Sequence, residues 1–292
     1  MTDTQHVVVQ DDLEVERPHL LMLHLRPEQG PGESAHHPAP DQAIEFFRCA
    51  VKAAADLRGL REIALDLPEA RAEARRFLDL VGAAAVESGF DLRALACVEH
   101  VADWGASAFS ACREVALRVD ARRFPGLRLP SRVYDAVGLL QAESRVVNLS
   151  VMLDRELLRH LTLPRLRRWL DRADFVTLVA PRGLPMDVSR SELSAFFERL
   201  APLWEKADRF FHLQVDRSIK PAFFPWNLLS VTCPASDLAV HVEADGTLYL
   251  CAAPTAFATL AHADQLSRVV EEQLEKMRTL TDLRVGPPLP PR

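Results

Sequence analysis

Residues 114–153 read EVALRVDARRFPGLRLPSRVYDAVGLLQAESRVVNLSVML, and the architecture turns on them. The stretch opens on 114–120 (EVALRVD), a short aliphatic run that ends on a charge. It closes on 145–153 (RVVNLSVML), a second run of the same kind. Residues 131–142 (SRVYDAVGLLQA), between them, read as a helix. A two-residue turn can join only antiparallel neighbours. Strand, helix and strand in this order therefore imply parallel pairing through a right-handed crossover.

The same unit recurs in both directions along the chain. Upstream, 19–25 (HLLMLHL) reads as a buried strand and 26–40 (RPEQGPGESAHHPAP) as a loop. Asp41 is placed to cap a helix whose inward face is Ile44, Phe47, Val51 and Ala55. Residues 61–66 (REIALD) form the next strand. Pro68 then suits the first turn of a helix, Glu69 its positive end and Gly89 its close. Residues 91–98 are a strand, followed by a weak helical stretch to Cys112. Downstream, 154–170 is helical with a restart near Pro164, and 174–180 (DFVTLVA) is a strand. Ser189 and Glu192 form a capping box for a helix that buries Leu193, Phe196, Phe197, Leu200 and Trp204, with a kink at Pro202.

Six strand–helix pairs result. A doubly wound sheet and a curved, partly closed (βα)6 barrel both satisfy this pattern, and periodicity does not choose between them.

After residue 207 the texture changes. Residues 209–215 (RFFHLQV) suggest one more strand, and 220–229 (KPAFFPWNLL) a linker packed on the barrel. Residues 238–243 and 247–251 read as a hairpin turning at Ala244, Asp245 and Gly246. Residues 263–280 make an amphipathic helix with Leu266, Val270, Gln273 and Met277 on one side. Aromatic residues Phe223, Phe224, Trp226 and Trp204 suit core or linker packing.

Bulk properties bound the function. With 292 residues, 48% hydrophobic and 26% charged, the chain can bury a full core. A net charge of −6 argues against general nucleic-acid or anionic-membrane binding. Charges break every apolar run before the ~18–20 residues of a membrane span. Residues 1–16 are acidic and lack the apolar core of a signal peptide. Five cysteines are too few for a disulfide scaffold of this size, so reduced thiols in a cytoplasmic protein are expected. No P-loop, G-x-G-x-x-G or G-x-S-x-G occurs.

Cys233 and Cys251 flank the hairpin with the spacing C-x12-G-x4-C, the glycine being Gly246. This resembles the opening of the SPASM or twitch extension that follows the barrel in many radical SAM enzymes, and six strand–helix units match that superfamily's partial barrel. Residues 63–69 (IALDLPE) fall where the family has a strand ending in Gly-Gly-Glu-Pro, with Glu69 at the Glu position. Residues 115–120 (VALRVD) resemble its fourth strand, with Arg118 at the serine of Ser-x-Asp. Residues 180–185 (APRGLP) resemble its sixth strand and exit loop.

The resemblance implies an α/β fold: a partial (βα)6 TIM-like barrel of parallel strands plus a small C-terminal β-hairpin and helix extension. It divides the chain into an N-terminal arm (1–17), a radical SAM-like barrel (18–216), a SPASM/twitch-like extension (217–283) and a Pro-rich tail (284–292). It also implies a [4Fe–4S] cluster and S-adenosylmethionine, and here the sequence departs from the family. The cluster motif is Cys-x3-Cys-x2-Cys, and thiolates are what the irons require. The loop at 26–40 has no cysteine. Leu67 and Pro68 stand at the cofactor-cradling glycines, and no cysteine follows Cys251 to complete an auxiliary cluster. No cofactor is therefore expected.

C-terminal strand ends converge in a barrel. His24, Arg26, Glu69, Arg118, Asp120 and Arg182 fall there and are the candidate ligand-binding residues. They serve either a pocket for a small ligand or peptide, or a salt-bridge network filling a mouth left by the lost cofactor. Glu99 and His100 follow the third strand, but no metal-type spacing such as H-x-H or H-E-x-x-H links the histidines. Cys233 and Cys251 are the candidate metal ligands, with His241 a further donor. Their alternative is that of small buried hydrophobes. The expected function is that of a non-catalytic homologue binding a protein or peptide partner, a true radical SAM enzyme or a peptide substrate, in a natural-product or peptide-maturation pathway. The alternative is a repurposed enzyme or small-metabolite-binding protein using the barrel mouth.

Overall fold

A computed structural model describes residues 19–27, 38–68, 71–120, 124, 128–152, 155–179, 192, 195–196, 198–199, 211–214, 237–250 and 256–284. Strands β1 (His19–Arg26), β2 (Glu62–Asp66), β3 (Asp91–Cys97), β4 (Glu114–Val119), β5 (Val146–Met152), β6 (Phe175–Val179) and β7 (Phe211–Gln214) lie side by side in sequence order, all parallel. The crossovers carry α1 (Pro40–Ala54), α2 (Arg71–Glu87), α3 (Val98–Trp104), α4 (Ser131–Ala142), α5 (Arg155–His160) and α6 (Leu163–Leu170). On the other flank β8 (Asp237–Glu243) pairs parallel with β1. β9 (Thr247–Leu250) and β10 (Ala258–Thr259) continue antiparallel, and α7 (Leu266–Arg284) closes the described chain. The sheet has ten strands in the order β10-β9-β8-β1-β2-β3-β4-β5-β6-β7, and its ends do not pair with each other among the described residues.

Burial decides what periodicity left open. A doubly wound sheet is covered by helices on both faces and buries apolar side chains on both. Here successive residues divide sharply, as the two-residue period of a strand requires. Leu23, Leu25, Ile63, Leu65, Leu92, Ala94, Val115, Leu117, Val147, Leu149, Val176, Leu178, Val240 and Val242 belong to one buried cluster with the helices. Their neighbours on the opposite face include His24, Arg26, Asp66, Arg93, Arg118, Asn148, Thr177 and His241, all half-buried and polar, with small Ala64 and Ala116 between them. A single helical layer over a sheet with a polar inner face is the barrel-like solution.

The helices explain themselves locally. α1 buries Ala43, Ile44, Phe47, Ala50, Val51 and Ala54 at helical spacing, and Phe47 meets Phe77 of α2 edge-on at 5.4 Å. Its N-cap is Ala39 rather than Asp41. Gln42 reaches back to accept the Ala39 N–H, because Pro40 already fits the first helical position and needs no N–H partner. Asp41 sits inside the first turn and pairs with Arg76 of α2. Pro68 likewise precedes its helix, since α2 begins at Arg71. Gly89, at φ +82°, ends α2 as expected: its N–H reaches the Val86 carbonyl, and that of Phe90 the Ala85 carbonyl. The restart near Pro164 is the break between α5 and α6. Of the helix expected after Ser189, the described part shows Phe196 buried and Glu192 bound to Arg159 at 2.5 Å.

The C-terminal hairpin extends the same sheet. Its turn is Ala244, Asp245 and Gly246, with Gly246 at φ +84° and the Asp245 carboxylate accepting the Thr247 N–H at 2.9 Å. A Cβ at Gly246 would stand 2.6 Å from the Leu260 carbonyl oxygen. α7 buries Leu266, Val270 and Leu274, with Gln273 only half-buried, and its Ser267 hydroxyl donates to the Ala53 carbonyl of α1. Extension and barrel thus share one core and one sheet.

Candidate functional site

Two polar layers cross the inner face. The first runs laterally over five neighbouring strands. Arg93 of β3 lies between two carboxylates, Glu62 of β2 at 3.2 Å and Glu114 of β4 at 3.0 Å. Asn148 of β5 donates to Glu114 at 3.2 Å and accepts from the Thr177 hydroxyl of β6 at 3.0 Å. In a parallel sheet, register places such side chains in rows, so each strand satisfies its neighbour.

The second layer lies at the C-terminal strand ends. Arg118 of β4 reaches across β3 to β2, where it stands 2.8 Å from the Asp66 carboxylate and donates to the Leu67 carbonyl at 2.6 Å. Arg26 of β1 approaches the same carboxylate at 3.5 Å. Two guanidinium groups thus converge on one Asp. Beside them β8 sets Glu243 opposite Arg26 and His241 opposite His24. The two imidazole rings are 4.6 Å apart and tilted by 48°. Glu243 is 2% exposed, a depth at which a carboxylate needs compensating charge, and the register puts Arg26 next to it. Tyr249 of β9 faces His241 and is buried.

The candidate residues therefore separate. Arg26 and Arg118 come together at Asp66, whereas His24, two residues before the end of β1, packs on His241. Asp120 follows directly on β4, half-buried on the Arg118 side by strand alternation. Glu69, Arg182, Cys233 and Cys251 lie outside the described residues. Asp66 and Glu243 are the residues that sequence reasoning did not select. Their signal was available: each is an acid closing an alternating strand. His100 is 1% exposed and serves α3, where its Nδ1 accepts the Cys97 N–H at 3.3 Å and its ring stacks on Trp104 at 4.6 Å. Among the described residues no three His, Cys, Asp or Glu side chains are grouped to hold a metal.

The donor set at this end of the sheet does not fit an iron–sulfur cluster. One thiol, Cys97, closes β3 in register with Arg118; the other described side chains there are arginine, histidine and carboxylate, whereas a cluster needs three or four cysteine thiolates. The Leu67 carbonyl is already engaged by Arg118, and Pro68 offers no N–H.

No family model matches the sequence, and no curated protein matches it. Solved structures share the fold. The chain is similar to anSMEcpe with bound AdoMet, at a TM-score of 0.59 and 14% identity over 89% of this chain and 84% of that one. It is similar to Streptococcus suis SuiB bound to S-adenosylmethionine, at 0.52 and 9% identity over 79% of this chain. SuiB bound to its precursor peptide SuiA matches at 0.54, with 9% identity over 86% of this chain. The chain spans 60–64% of SuiB in these two comparisons. The radical SAM-like fold expected from the hairpin and the six units is the fold found.

Proposed function

We propose that this chain is a radical SAM-fold protein that has exchanged cluster chemistry for binding, and that its ligand is a peptide or protein on a peptide-modification pathway. The observation that supports this reading is the strand-end network: Arg118 pairs with Asp66 and the Leu67 carbonyl, Arg26 approaches the same carboxylate, and the loop at 26–40 supplies no cysteine. An arginine cannot ligate iron, and its guanidinium offers hydrogen-bond donors to the mouth instead. The peptide assignment draws support from two structures of the same fold, SuiB with precursor peptide SuiA and anSMEcpe with AdoMet and the Kp18Cys peptide. His24, Arg26, Arg118 and Asp120 are the residues proposed to meet the ligand; Glu69 and Arg182, outside the described residues, are proposed beside them on their sequence positions alone. No metal or cofactor is assigned, and Cys233 and Cys251 are read as ordinary thiols. Cys49, Cys97 and Cys112 form no disulfide among the described residues, as proposed for a protein of a reducing compartment. No helix among the described residues is long and apolar enough to cross a membrane.

The test is anaerobic reconstitution with iron and sulfide, followed by incubation with S-adenosylmethionine and reductant. The expected result is no cluster absorbance and no 5′-deoxyadenosine. A cluster spectrum together with S-adenosylmethionine cleavage would overturn the proposal.

A further inference from the structure

The outer helical layer carries a surface unlike the rest of the chain. Residues 159–172 hold five arginines (Arg159, Arg165, Arg167, Arg168 and Arg172) and one acid, Asp171, in a chain whose net charge is −6. The fold explains their display. α6 buries Leu166, Trp169 and Leu170, so helical spacing turns Arg167, Arg168 and Arg172 to solvent. The restart between α5 and α6 adds Arg159 and Arg165 to the same segment.

The arginines are not equally committed. Arg159 is bound by Glu192 at 2.5 Å, and Arg165 donates to the His160 carbonyl at 3.1 Å. Arg172 lies over the Tyr134 ring of α4, its guanidinium carbon 5.8 Å from the centroid. Arg167 and Arg168 are exposed and form no ion pair among the described residues. Arg168 also lies close enough to Tyr134 to stabilise its phenolate, as Arg172 does. Burial outweighs both and raises the phenol above its ordinary pKa, so the hydroxyl stays a donor. A tyrosine of α4 beside two arginines of the α6 segment is a composition typical of binding hot spots.

We infer that this α4–α6 face is a docking surface for an acidic polypeptide segment, recognised by Arg167, Arg168 and Arg172 around Tyr134. Charge complementarity selects the partner. Guanidinium groups pair bidentately with side-chain carboxylates, and the acidic remainder of the chain favours such a segment at this basic face. The surface lies on the helical side of the sheet, away from the polar mouth. It rests on the reading that the chain binds a polypeptide, and it adds a second, electrostatic contact to that reading.

The experiment is fluorescence anisotropy of full-length protein with a fluorescein-labelled hexaglutamate peptide, at low and at raised salt. The wild-type chain is expected to bind the probe, with affinity falling as salt rises. The double variant Arg167→Glu/Arg168→Glu should bind at least about tenfold more weakly. Arg268→Glu, a charge reversal at an exposed position of α7, should stay within about twofold of wild type, as expected for a charge remote from the contact. Circular dichroism melts establish that all variants fold. Equal binding by the double variant, or equal binding of a hexalysine probe, overturns the inference. Tighter binding of an oligothymidylate of the same charge overturns it in favour of a nucleic-acid surface. Any of these outcomes leaves the cluster-free reading intact, because that reading stands on iron reconstitution.

Discussion

Arg118 spans two strands to hold Asp66, placing its guanidinium 2.8 Å from the carboxylate and donating to the Leu67 carbonyl at 2.6 Å. One side chain from the end of β4 therefore fixes the end of β2. The pair is partly buried, with the arginine 31% and the carboxylate 13% exposed, so solvent screens it only in part. Arg118→Met retains the aliphatic stem and removes the charge. We expect a loss of about 1–3 kcal/mol in urea unfolding. An unchanged midpoint would show that Arg26 alone satisfies Asp66.

Cys112 gives the stability curve an alkaline edge. Burial pushes its thiol from 9.0 to about 12, and Arg145 only partly opposes this. An acid whose pKa is raised by folding binds its proton more tightly in the folded state. Its contribution is complete below pH 9, where both states are protonated. It is lost between pH 9 and about 12, as the unfolded chain alone ionises. Over that window this one group removes about 1.4 kcal/mol per pH unit. Chemical denaturation at pH 8 and 10 should therefore show a shallower fall for Cys112→Ala than for wild type. Parallel curves would refute the assignment.

Gly246 is the tightest point of the hairpin. Its φ of +84° disfavours any side chain, and the Leu260 carbonyl oxygen, which would lie 2.6 Å from an added Cβ, is backbone and cannot swing aside. Gly246→Ala should lower stability by about 1–3 kcal/mol, the range for a strained backbone position. Gly138→Ala is the control. Nothing lies within 4 Å of its added Cβ, and alanine favours the helix. Its melting temperature should stay level or rise.

The sheet also predicts the fate of the barrel segment alone. A chain ending at residue 216 removes β8, whose residues pair with β1 from His19 through Arg26. It also removes α7, which packs on α1 through Leu266 and Ser267. An edge of unpaired backbone and an uncovered apolar face would remain. We expect no cooperative unfolding transition and strong dye binding to exposed apolar surface. A sharp melt by the truncated chain would show that residues 18–216 fold alone.

Much of the fold was legible because parallel strands under a single helical layer write their pattern plainly. The run 114–120 and its counterpart 145–153 each became a strand, and the hairpin turned at Ala244, Asp245 and Gly246 as read. The choice between barrel-like and doubly wound was not legible, since both use the same units. It needed the burial of Leu65 and Leu117 set against the half-exposure of Asp66 and Arg118. The strand-end residues were legible one by one, because position at the end of a strand is a sequence property. Their partners were not. Asp66 looked like a strand terminus, and nothing in the sequence placed Arg118 across two strands from it. Glu243 looked like a hairpin residue until β8 was laid beside β1.

That last pairing bears on how the molecule is made. β1 is flanked by β2 on one side and by β8 on the other, and β8 lies almost the whole length of the chain away. Contacts between residues so far apart in sequence are the slowest to form, because a long loop must close before any of them is gained. During synthesis the first strand emerges early and waits, half-paired, while nearly everything else is translated. We expect refolding to show β2 to β6 gaining hydrogen-exchange protection first, with β1 and β8 gaining it last and together.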